Sequence, residues 1–96
     1  MVKIKEETKD VAEFWNDKMP MMAMEECGEL IQAISKWSRK GGKTYEGLDT
    51  YTKEGRNLIV EMGDIIISIG ALLNLADIPE DDLNDYVTEK LSKKYD

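Results

Sequence analysis

Two pairs of acidic residues, Glu26 with Glu29 and Glu61 with Asp64, lie inside the two most apolar stretches of the chain. Residues three apart share one face of an α-helix, so each pair aims two like charges at one spot beside a hydrophobic stripe. A bare carboxylate there is costly. A divalent cation held by oxygen ligands relieves both the repulsion and the burial, and it serves both pairs at once only if the fold lays the two helices side by side. The spacing alone carries little weight, because Asp and Glu supply 20 of the 96 residues. Glu7/Asp10, Asp10/Glu13, Glu46/Asp49, Asp77/Glu80 and Asp82/Asp85 repeat it in polar surroundings and read as solvated faces. The two singled-out pairs differ in their neighbours: Met24, Cys27, Leu30 and Ile31 around the first, Ile59, Val60, Met62, Ile65 and Ile66 around the second.

Apolar periodicity predicts an all-α chain of four helices. Val11, Phe14 and Trp15 recur at helical spacing between about Glu6 and Lys18. Pro20 interrupts the chain and suits the first turn of a second helix, which Met24, Cys27, Leu30, Ile31, Ile34 and Trp37 carry to about Lys40. Gly41 and Gly42 end it, with Lys36, Arg39 and Lys40 favourably placed against the helix dipole. A polar loop with Gly47 and Gly55 leads to a third helix, from Lys53 or Arg56 to Ala76. Its apolar residues point to nearly all sides, and a helix apolar all round must be covered all round. A chain of 96 residues forms one domain, residues 1–96, with a small core of its own, so a homodimer or homotetramer built on this helix is expected. Pro79 and the acidic Glu80, Asp81 and Asp82 open a fourth helix that runs into a basic tail, Lys90, Lys93 and Lys94.

Composition excludes several classes of function. Lys and Arg number 13 against 20 acids, a net charge of −7, which argues against duplex nucleic acid as a partner. With no histidine, Ser-His-Asp and Cys-His nucleophile systems, His-x-Glu zinc deaminase sites and Glu-x-x-His di-iron sites are ruled out. The lone Cys27 permits no intramolecular disulfide and fits a reducing compartment. Met1 to Asp10 is charged and lacks the apolar core of a signal peptide. The longest apolar tract, Ile65 to Ala76, is interrupted by Ser68, Gly70 and Asn74 and falls short of the roughly 18 to 20 residues that span a bilayer. A cytoplasmic protein without membrane contact is the expectation. Gly42-Lys43-Thr44 resembles the end of a P-loop, but Trp37 occupies the position of the required glycine and no strand precedes it. Lys43, Arg39 and Lys40 keep two readings, phosphate contacts from the loop or, more commonly, charges that complement the helix C-terminus.

On the second helix, Glu26, Glu29, Ala33 and Trp37 fall within roughly 80° of one another, and Trp37 lies about 12 Å along the axis from Glu29. That is near the reach of a nucleotide from metal-bound phosphates to base. Trp37 therefore has two readings, a stacking wall for a base or an aromatic of the core or interface. On the third helix the equivalent face gathers Asn57, Glu61, Asp64 and Ser68.

The segment Met24-Glu25-Glu26-Cys27-Gly28-Glu29-Leu30 resembles the E-E-x-x-E-L signature of the MazG-like, all-α nucleoside triphosphate pyrophosphohydrolases, and Glu61-Met62-Gly63-Asp64-Ile65 resembles their E-x-x-D partner. The resemblance covers about residues 20 to 95. It implies that Glu26, Glu29, Glu61 and Asp64 ligate Mg²⁺ and that the chain splits a nucleoside or deoxynucleoside triphosphate into monophosphate and pyrophosphate. Hard oxygen ligands independently suit Mg²⁺ or Mn²⁺. Glu25 and Glu26 are the candidate catalytic carboxylates; Glu25, about 100° round the helix from Glu26, has three open roles, a group supporting the ligands, a ligand from the rim, or a base. Lys90 corresponds to a phosphate contact of the family, with Lys93 and Lys94 beside it, although the Asn and Arg usual in that tail are missing here. The 31 residues between Glu29 and Glu61 also make the connecting loop long for the family. The rival readings are a phosphoribosyl-ATP pyrophosphohydrolase, whose usual Tyr-His is absent after Asp64, and a non-catalytic helical interaction module.

Overall fold

A computed structural model describes residues 3–94, with side chains described as far as Lys93. Five α-helices follow one another: α1 (Ile4–Glu7), α2 (Lys9–Trp15), α3 (Met19–Arg39), α4 (Lys53–Leu75) and α5 (Glu80–Lys94), with a 3₁₀ turn at Asn16–Lys18 before α3. Among the described residues there is no strand, only an isolated bridge between Tyr45 and Tyr51. The all-helical expectation holds, and the four expected helices are all present. The first is broken in two at Thr8. There the Thr8 hydroxyl donates back to the Ile4 carbonyl, a bond that competes with continuation of the helix. The amide of Asn74 on α4 donates to the Lys5 carbonyl at 2.7 Å, so a backbone acceptor of α1 is satisfied from another helix.

Close approach of α1 to α4 depends on Gly70, where an added Cβ would lie 2.5 Å from both the Ile4 carbonyl oxygen and the Thr8 hydroxyl. Gly70→Ala is therefore expected to push α1 off α4 and to cost about 1–3 kcal/mol, the usual penalty of overpacking. A lowered urea midpoint with an unchanged slope would show it, and an unaltered midpoint would refute it.

α3 and α4 run side by side and share the most extensive helix–helix contact of the chain. The core is small: Ala12, Met19, Ala23 and Ala71 are buried, with Val11, Trp15, Met22 and Leu72 packed against them. Small residues thus make up most of the inside, with Met19 and Leu73 as the large exceptions, while many large ones stay out. Met24 and Ile31 on α3 are each 67% exposed, and Val60 and Ile66 on α4 are half exposed. The radius of gyration is 15.8 Å, against roughly 12.5 Å for a compact domain of this length. Part of the excess comes from α5, which makes few contacts with the other helices. α4 as a whole, unlike its longest apolar tract, is long and apolar enough to cross a membrane by length and composition. Yet its middle carries Glu61 and Asp64, which belong to the site described next.

Candidate metal centre

The α3–α4 hairpin is set by its ends. Gly41 and Gly42 adopt the left-handed conformation, φ 82° and 67°, and their N–H groups bond Ser38 and Trp37 carbonyls at 3.0 and 2.9 Å. This closes α3 as glycine does at helix C-termini. Thr52 opens α4: its hydroxyl oxygen accepts from the Gly55 N–H at 2.9 Å and its proton goes to the Lys43 carbonyl at 2.8 Å. Gly55 is needed beneath this turn, since a Cβ there would stand 2.6 Å from the Thr44 carbonyl oxygen. The long loop is thus a folded turn, with the Tyr45 and Tyr51 rings stacked at 5.0 Å and Arg56 over Tyr51.

With the helices held in this register, carboxylate oxygens of Glu26, Glu29 and Glu61 come within 4.8 Å of one another. Glu26 and Glu61 each bury one carboxyl oxygen that has no hydrogen-bond partner. Burial pushes the Glu26 carboxyl above its ordinary value, and the charges of Glu29, Asp64 and Glu61 push it further. Burial likewise raises Glu61, helped by its contact with Glu29 and by the charge of Asp64. Asp64 is half-buried and close enough to act on both, although it stands outside the tight trio. Buried oxygens without donors, in a cluster that resists ionisation, fit a hard divalent cation.

The other sequence-predicted residues lie around this centre. Glu25 is exposed on the next face of α3. Lys90 and Lys93 are exposed on α5, and no ion pair joins either to the cluster; Lys93 pairs instead with Glu89 at 2.6 Å. The side chain of Lys94 lies outside the described residues. Cys27, read from its neighbours as a packing residue, is exposed in the chain, because the apolar face of α3 that carries it is itself uncovered.

Trp37 packs its six-membered ring edge 3.5 Å from the Cβ position of Gly42, and its indole N–H donates to Thr44 Oγ1 at 3.2 Å. These contacts favour the packing reading. Trp37→Ala is accordingly expected to lower the melting temperature and loosen the turn. A lost base stack would instead weaken nucleotide binding by roughly 1–3 kcal/mol and leave pyrophosphate binding alone, so calorimetry with both ligands on the folded variant decides.

Sequence reasoning weighed Arg39 and Lys40 as phosphate contacts but passed over their partners across the hairpin. Lys36 and Arg39 on α3, Lys40 just after it, and Lys53 and Arg56 on α4 line one groove there. The available signal was the pair Lys53 and Arg56, cations at the start of a helix, where the dipole disfavours them.

The chain is thus an all-helical protein whose hairpin gathers carboxylates from two E-x-x-[ED] segments. Residues 14–96 match the model of the MazG nucleotide pyrophosphohydrolase domain, and the chain belongs to that family. It is also 30% identical over 73 residues to the uncharacterized protein YvdC of Bacillus subtilis (strain 168), an alignment covering 76% of this chain and 69% of that one. No solved structure gives a significant match. At the level of the family the activity is that of a nucleotide pyrophosphohydrolase, and its members are generally dependent on a divalent metal.

Proposed function

We propose that the chain, as one domain over residues 1–96, hydrolyses a nucleoside or deoxynucleoside triphosphate at the α–β linkage, giving monophosphate and pyrophosphate. A house-cleaning role in the cytoplasmic nucleotide pool follows from that reaction. Glu26, Glu29, Glu61 and Asp64 would hold Mg²⁺, or Mn²⁺ in its place. The observation that carries this reading is the pair of buried, unpartnered carboxyl oxygens of Glu26 and Glu61 within a group of like charges. A bound divalent ion would supply charge neutralisation of the triphosphate and a lowered pKa for water. In the reaction the water oxygen bonds to the α-phosphorus, the bond from that phosphorus to the α–β bridging oxygen breaks, and a proton from the water must be accepted. Glu26 in the cluster, or the exposed Glu25 that precedes it on α3, would accept that proton. Lys90, Lys93 and Lys94 would meet phosphates from α5; since α5 stands away from its own hairpin, they would do so across an assembly of two or four copies. The exposed apolar faces of α3 and α4 support that assembly.

Pyrophosphate release from a panel of common and modified triphosphates, with Mg²⁺ or Mn²⁺ and then with chelator, tests the reading. Metal-dependent release is expected. Absence of release from every triphosphate would favour an interaction module and overturn the proposal.

Proton linkage gives a second test. Glu26 and Glu61 have folded-state pKa values raised above the ordinary 4.5, so between 4.5 and those raised values the folded state binds more protons than the unfolded state. Their contribution to stability therefore falls as pH rises through that interval. In chelator, the melting temperature attributable to these groups should climb as pH is lowered from neutral towards 4.5, and Glu26→Gln should flatten the climb. An equal slope in wild type and variant would contradict the burial of this carboxylate.

A further inference from the structure

The groove at the loop end of the α3–α4 hairpin, a cavity of about 880 Å³, is lined by Lys36, Arg39, Lys40, Lys53 and Arg56 with Glu54 as its one acid. Such a concentration of cations is unexpected on a chain of net charge −7. Among the described residues the only ion pair is Lys93 with Glu89, so the groove cations are not neutralised by carboxylates in contact. Lys36, Arg39 and Lys40 could be explained by the α3 C-terminus alone, where cations complement the dipole. Lys53 and Arg56 have the opposite placement: they stand in the first turn of α4, where the dipole repels them. Their presence raises the positive potential of the groove against local helix preference.

Position along the helices ties the groove to the carboxylates. Lys36 and Lys40 follow Glu29 by seven and eleven residues, two spacings that return to the same helix face. Lys53 and Asn57 precede Glu61 by eight and four, again on its face. Asn57 and Val60 also line the groove, one turn before Glu61 and Asp64. The cations thus begin about 10 Å from the acidic cluster along α3, at Lys36, and about 7–8 Å along α4, at Arg56, and α3 side chains lean towards the helix N-terminus, so the lysine stems on α3 lean back towards it.

We infer that this groove is an oligophosphate-binding site continuous with the carboxylate centre. Its ligand is a chain of phosphate groups, either the terminal phosphates of a nucleotide at the centre or a separate oligophosphate. The first source rests on the function proposed above; the second does not. Lysine ammonium groups and the Arg39 and Arg56 guanidinium groups supply charge-assisted donors for phosphate oxygens, and Asn57 supplies a neutral one.

Binding of inorganic triphosphate, followed by calorimetry in chelator at low salt, isolates the groove, because the acidic cluster without metal repels the anion. The unmodified protein should bind, and Lys36→Gln/Lys53→Gln and Arg56→Gln should each weaken binding by about tenfold or more. Lys18→Gln, in the 3₁₀ turn just before the far end of α3, is the control and should leave it unchanged. Glu29→Gln should keep the binding or strengthen it. Undiminished binding in both groove variants, with melting temperatures confirming that they fold, would overturn the inference, as would no binding by the unmodified protein. Steady-state kinetics with metal then separates the two sources. A KM raised about tenfold at nearly constant kcat in the groove variants assigns the groove to the substrate's own phosphates. An unchanged KM, with the chelator-resistant binding lost, assigns it to a separate oligophosphate. If no triphosphate is hydrolysed at all, the proposed function fails while the calorimetric result for the groove still stands or falls by itself.

Discussion

Glu29→Gln and Asp64→Asn are each expected to lower triphosphate turnover by more than about a hundredfold, beyond the loss typical of groups that only support a metal ligand. Chelator should abolish turnover in the unmodified protein. The fold should survive both substitutions, because each removes one of several mutually repelling charges; melting in chelator should hold or rise, while the rise in melting temperature on adding Mg²⁺ should shrink. Asp64→Asn is the sharper test. Glu26, Glu29 and Glu61 form the tight trio, whereas Asp64 acts on Glu26 and Glu61 from just outside it. Near wild-type turnover in Asp64→Asn would remove it from the ligand set, and near wild-type turnover in Glu29→Gln would displace the centre altogether.

The second large effect concerns the uncovered faces. Ile31 and Ile66 are 67% and 51% exposed in the subunit. If the subunit stood alone, Ile31→Glu or Ile66→Glu would change stability within about 0.5 kcal/mol, as exposed substitutions do. If copies of the chain cover these faces, either variant buries an unpaired carboxylate, at a cost on the order of 3–5 kcal/mol, and the assembly should dissociate or unfold. Ile67→Glu and Leu75→Glu, also in the exposed class, extend the same test along α4. Sedimentation reads the outcome directly: a stable folded monomer of the unmodified protein contradicts the expectation.

The carboxylate pairs were legible in the sequence because their physics is local. A charge placed three residues from another within an apolar helix declares itself without knowledge of the fold, and the glycines at 41 and 42 announce the end of α3 in the same way. The break at Thr8 was not legible. It depends on Asn74, 66 residues away in sequence, and on the absence of a side chain at Gly70; neither leaves a mark on the apolar periodicity of the first helix. The exposure of Cys27 escaped for a related reason. Periodicity reports that a face is apolar, but not whether the same chain covers it. Trp37 shows a third limit: its helix face was given correctly by the spacing, yet the choice between wall and anchor depended on how the glycine turn folded back to bring Thr44 to its indole nitrogen. The basic groove was hidden because its cations come from two helices whose juxtaposition only the hairpin supplies.

The peptide groups flanking Lys5 link distant parts of the chain: its N–H donates to the Glu80 carboxylate and its carbonyl accepts from Asn74, both at 2.7 Å. These bonds join residues 75 and 69 positions apart. A four-residue helix is marginal alone, so α1 depends on these bonds and on its packing over Gly70. α1 and the start of α5 are thus expected to open as one cooperative unit while the α3–α4 hairpin remains closed, and their amides should exchange with solvent through this shared opening, well before global unfolding.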